Sequence, residues 1–177
     1  MSTLLVFVAL ASLQQPGTPA SRARQAREAA FDSSRAAVSH LADKVADVRS
    51  ALEVYRRAVF NGTDTEVLTM AGYLESTCHG MDSVALRTER TVCRKCAFQA
   101  NVQSAFDQYR AGLPALRQAG ARCDTQLAQL SRGPQPQAAK GLRRDVRAVG
   151  NPLVSALRSY ERRLHAVLVT LNAAPPT

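Results

Sequence analysis

The chain has 177 residues, a formal net charge of +9 and no tryptophan. Its 46% apolar and 21% charged content is ordinary for a folded chain of one domain's length, which argues against a disordered polyelectrolyte. The apolar residues are mostly Ala, Leu and Val. With aromatics at only 5%, this composition favours helices over a β-rich core.

The N-terminus reads MSTLLVFVALASLQQPGTPA. Leu4 to Leu10 is a short apolar run, and Ala9-Leu10-Ala11 resembles a small-residue cleavage site. Residues 1–20 therefore read as a signal peptide and linker, although no Lys or Arg precedes Arg22. The run is far shorter than the roughly 20 apolar residues needed to cross a bilayer. No later stretch is long and apolar enough either. The expected location is extracytoplasmic, periplasmic or secreted, where disulfides persist.

Apolar periodicity then dominates. Phe31, Val38, Leu41, Val45, Val48, Leu52, Tyr55 and Val59 recur at steps of three and four after one step of seven, predicting a helix over 22–60. Gly62 suits its end, and Thr63 with Glu66 forms a capping box for the next helix. A second stripe runs Val67, Ala71, Leu74, Cys78, Met81 and Ala85. A third runs Phe106, Tyr109, Leu113, Leu116, Gly120, Cys123, Leu127 and Leu130. The loop SRGPQPQ follows. A last stripe, Leu142, Val146, Val149, Leu153, Leu157, Tyr160, Leu164, Val167 and Leu171, predicts a helix over 137–171.

Residues 64–131 as one straight helix would measure about 100 Å, so this segment must fold back on itself. Candidate turns are HGMDS (79–83), the 85–90 region, the vicinity of Asn101, and AGLP (111–114). Pro114 and Pro152 sit inside stripes and are expected to kink their helices. The expected architecture is all-α: an antiparallel bundle of about four main helices in a single domain, 21–172, followed by a Pro-rich tail, 173–177.

Cys78, Cys93, Cys96 and Cys123 are the disulfide candidates. An even count in an exported chain favours two bridges, and all three pairings remain open. Pairing Cys78 with Cys123 wants a turn near residue 100; the other pairings want turns near 86 and 109. The motif CRKC (93–96) also admits a redox reading, because Arg94 and Lys95 would favour a thiolate. The strand-helix-strand context of a thioredoxin-like site is absent. Zinc binding by these cysteines with His79 has only one of the two ligand couples it needs. Haem attachment fails because Ala97 stands where His is required.

The positive charge is concentrated late in the chain. Residues 132–177 carry eight basic and two acidic side chains. On one continuous helix, Lys140, Arg144, Arg147, Arg158 and Arg162 would cluster within about 60°. That ridge is a candidate site for a polyanion or an anionic surface, against the plainer reading of a solvated face. Arg143 and Arg163 flank the core face. Nucleic acid is disfavoured, because no aromatics interleave with the ridge.

His40, His79 and His165 read as boundary packing residues. No catalytic or phosphate-binding motif is present, so no catalytic residue, metal or cofactor is assigned. Asn61-Gly62-Thr63 matches a glycosylation sequon. The chain reads as an exported, disulfide-stapled bundle acting through an unidentified protein or ligand partner, or as a structural protein; self-association is compatible with the long stripes. The alternatives are a thiol-redox or metal-binding bundle and a polyanion binder. A secreted four-cysteine bundle also has the general outline of a helical cytokine, though no specific motif selects that class.

Overall fold

Helix α1 (Pro19–Asn61) begins before its apolar stripe does. The Thr18 hydroxyl accepts a hydrogen bond from the Ser21 N–H at 3.3 Å, and Pro19 occupies the first turn, where an amide donor has no helical partner. This cap explains a start slightly ahead of residue 22. The computed structural model describes residues 18–174; the signal-peptide reading and the last three residues of the tail lie outside them. None of Pro19–Ala30 is buried, so the first twelve residues of α1 lean on capping and intrinsic propensity more than on the core.

The remaining helices are α2 (Asp64–Thr91), α3 (Ala100–Leu130), α4 (Gln135–Arg144) and α5 (Val146–Ala173). No strand occurs among the described residues, and the protein is all-α. Helix α1 packs on α2 and α5, and α3 packs on the same two, so four long helices surround one interior. Every residue of the four stripes is buried except Leu130, which is half-buried. The capping box at Thr63 and Glu66 is formed in both directions, at 3.3 and 2.6 Å.

The doubling back of 64–131 occurs over residues 92–99, nearest to the candidate at Asn101. The other three candidate turns are helical. Gly112 shows why AGLP misled: its missing side chain makes room for a ring. A Cβ there would lie 2.6 Å from two ring carbons of Tyr160, and the Tyr160 hydroxyl donates to the Tyr109 carbonyl at 3.3 Å. The glycine brings α3 and α5 close together; it does not turn the chain.

Pro114 and Pro152 lie inside helices that continue past them. Both are exposed, so each proline ring sits on the solvent side of its helix. The expected single helix over 137–171 is instead broken at Asp145, which ends α4 and precedes α5. The apolar register survives the break, but α4 packs chiefly on α2 while α5 lies against α3 and α1. Arg143 anchors α4 across the end of the bundle. Its guanidinium donates to the carbonyls of Val59 at 2.6 Å and Gly62 at 2.8 Å, and reaches Asp64 at 3.0 Å. It thereby satisfies carbonyls at the C-terminal end of α1, where a cation is favoured.

Two stability predictions follow from the packing. Gly112→Ala must push Tyr160 off α3 and should cost about 1–3 kcal/mol in urea unfolding. Alkali should unfold the protein. Burial raises the phenols of Tyr55, Tyr109 and Tyr160, that of Tyr55 to about 12, with the Asp145 carboxylate adding to the shift at Tyr55. A native pKa above the unfolded value of 10.0 means the stabilisation is complete below pH 10 and is lost as pH rises through that value towards the native one. Absorbance at 295 nm followed together with far-UV circular dichroism should show ionisation of these tyrosines coinciding with helix loss.

Candidate functional site

The cysteines form two disulfides of different character. Cys78 on α2 and Cys123 on α3 are joined with Cα atoms 6.2 Å apart, and both are buried. Cys93 and Cys96 are joined within the α2–α3 turn, with Cα atoms 5.6 Å apart, and both are half-buried. No cysteine is free. Closing the loop across 45 residues of separation stabilises by about 4 kcal/mol, whereas the three-residue closure contributes about 2.

The CRKC turn is held from two sides. The Cys93 N–H donates to the Ser34 hydroxyl of α1 at 3.1 Å, and the Cys93 carbonyl accepts from Arg110 of α3 at 3.1 Å. Ser34 is itself fixed by donating to the Ala30 carbonyl at 2.7 Å. On the far side of the turn, the Phe98 ring meets Phe31 at 6.1 Å and Phe106 at 5.4 Å between centroids. These contacts order the backbone without requiring the disulfide. Ser34 was the residue missed by the stripe: it fills the seven-residue step from Phe31 to Val38. A buried polar residue in an apolar register is the signal that could have revealed it.

Beside the turn runs an open groove of about 770 Å³ between α2 and α3, lined by Asp82, Glu89, Arg94, Arg110, Leu113, Pro114 and Arg117 among others. Both of its acids pair with its arginines. Arg117 meets Asp82 at 2.9 Å and Glu89 at 3.6 Å, and Arg94 meets Glu89 at 2.6 Å. Tyr109 lies below these groups. Burial and then Glu89 raise its phenol, Arg110 and Arg94 act in the opposite sense, and its hydroxyl has no hydrogen-bond partner among the described residues. A second hollow of about 490 Å³, lined by Leu86, Glu89, Arg90, Val92, Cys93 and Arg94, shares Glu89 and Arg94 with the groove and reaches Cys93.

The basic ridge is rearranged. Lys140 and Arg144 lie on α4, and only Arg147, Arg158 and Arg162 share α5. The helix break at Asp145 separates the two sets, and Asp145 holds Arg144 at 2.7 Å. All five are exposed. Arg158 instead lines a groove of about 200 Å³ with Arg49, Glu53, Arg56 and Glu161 of α1 and α5, where Arg49 pairs with Glu161 at 2.9 Å.

The three histidines are exposed, not packed at the core boundary. One position along a helix swings a side chain by about 100°, enough to carry His79 and His165 from the stripe into water. His79 Nδ1 lies 3.2 Å from Asp124 Oδ2, directly beside the Cys78–Cys123 link. No group of three or more His, Cys, Asp or Glu among the described residues is placed to hold a metal ion. No described helix is long and apolar enough to cross a membrane.

The fold and cysteine pairing define a disulfide-linked helical bundle. The chain matches no protein family, no curated protein and no solved structure with which it was compared.

The two links and the clamp on the turn can be separated by mutation. Replacing Cys78 and Cys123 together by Ala should lower unfolding free energy by about 4 kcal/mol, and replacing Cys93 and Cys96 together by Ser by about 2, read from urea midpoints. Ser34→Ala leaves the Cys93 N–H without its partner and should cost about 1–3 kcal/mol.

Proposed function

We propose that this chain is an exported bundle that acts by binding a partner and not by transforming a substrate. The observation that carries this reading is the buried Cys78–Cys123 link between α2 and α3. A bond of this kind belongs to an oxidising compartment, in agreement with the cleavage-like Ala9-Leu10-Ala11. The α2–α3 groove falls in the size range of ligand sites and combines arginines with Leu113 and Pro114. That combination suits a ligand with an anionic group and an apolar body. Its acids are both held in ion pairs and its three arginines outnumber them, which supports recognition of an anion more than proton transfer.

A thermal-shift screen of small carboxylates and acidic peptides, run on the wild type and on an Arg110→Glu/Arg117→Glu variant, tests the reading. A ligand present at a hundred times its Kd should raise the wild-type Tm by about 5–10 °C and leave the variant unmoved. Equal stabilisation of both proteins, or turnover of a substrate that depends on one side chain, would count against it. Fractionation of the source cells should place a form lacking at least residues 1–11 outside the cytosol, with all four thiols blocked; a full-length cytosolic form with free thiols would contradict the export reading.

A second reading, an anionic-surface binder, rests on Arg56 and Arg158. Neither has a carboxylate within ion-pair distance among the described residues, although Glu53 and Glu161 line the same groove. Arg147 and Arg162 extend the same face of α5. Binding to heparin should then fall steeply with salt and be lost on reversing Arg56, Arg147, Arg158 and Arg162 to Glu.

A further inference from the structure

We propose that Cys93–Cys96 is a thiol–disulfide exchange site, opened by an external dithiol while the bundle stays folded. This goes beyond the binding role and stands on separate observations. The Cys78–Cys123 bond is sealed in the interior, whereas Cys93 lines a hollow of about 490 Å³ that opens to solvent beside the α2–α3 groove. An attacking thiolate therefore has a path to Cys93 and none to the buried pair.

The surroundings suit the chemistry. Arg94 and Lys95 lie between the two cysteines, Arg90 lines the same hollow, and Arg110 holds the Cys93 carbonyl. The nearby acids are engaged: Glu89 with Arg94 and Arg117, and Asp107 with Arg110 at 2.9 Å. This field stabilises a thiolate leaving group, which speeds exchange. The turn is also pinned independently of its sulfur bridge, by Ser34, Arg110 and the Phe31–Phe98–Phe106 contacts. Opening the bridge leaves those contacts in place.

The step balances with a dithiol as reductant. Its thiolate attacks Cys93 Sγ, the bond to Cys96 Sγ breaks, and Cys96 leaves as a thiolate. The second thiol of the reductant then displaces Cys93 from the mixed disulfide. The reductant ends as a disulfide, and Cys93 and Cys96 gain two electrons and two protons. In the reverse direction the reduced pair gives those two electrons to a disulfide partner and is itself closed again.

The test incubates the full chain in graded dithiothreitol, traps free thiols by alkylation, and reads both pairs by peptide mass spectrometry alongside far-UV circular dichroism. Cys93 and Cys96 should be alkylated at a dithiothreitol concentration at least about tenfold below that which opens Cys78–Cys123, with the helical signal retained. Arg94→Glu/Lys95→Glu should slow opening by about threefold or more. With oxidised glutathione, Cys96→Ser, which keeps the Cys93 thiol, should form its mixed disulfide faster than Cys93→Ser does. The proposal is overturned if Cys93–Cys96 stays closed until the buried pair opens, if helix is lost with its opening, or if charge reversal leaves the rate unchanged. A faster Cys93→Ser variant would overturn the assignment of Cys93 as the attacked sulfur.

Discussion

A chain segment too long to run straight has to reverse, and the sulfur bond between Cys78 and Cys123 is where that reversal is locked. Both residues occupy ordinary positions of their apolar stripes, so the bond forms inside the core and sets the register of α2 against α3. Much of the site architecture depends on that register. It accompanies the turn over residues 92–99, the reach of Cys93 to Ser34, and the pairing of Arg117 with Asp82 across the groove. A slip by one residue would rotate a helix face by about 100° and bury charges in place of leucines.

The two ends of the bundle are built differently. At one end α4 lies across the junction of α1 and α2, and Arg143 ties three groups of that junction together. Gln135 adds a 2.7 Å bond to Thr65. The other end carries the CRKC turn and, beyond Phe31, the unburied first turns of α1 with Arg24 paired to Glu28. The half-buried disulfide and the larger α2–α3 groove therefore meet at the end not covered by α4.

The helices were legible because burial repeats along them. The stripes from Phe31 to Val59 and from Leu142 to Leu171 name nearly all the buried residues of their own segments. What was not legible depends on contacts between helices. Gly112 resembles a turn residue until Tyr160 is seen lying on it. Pro114 resembles a kink or a break, and only the helix running past it excludes the break. The stop at Asp145 carries no Gly or Pro signal, because it arises where α4 and α5 take different packing partners. That single break also divides the five ridge residues between α4 and α5. For the site, the cysteines were evident, but their pairing and the grip of Ser34 and Arg110 depend on distant elements.

Disulfide mapping of the oxidised protein by non-reducing proteolysis and mass spectrometry bears most directly on the locked reversal. A Cys78-containing peptide should be found joined to a Cys123-containing one, with Cys93 and Cys96 joined to each other. Peptides linking Cys78 to Cys93 or Cys96 would move the reversal elsewhere and contradict the register on which the core and the groove both rest.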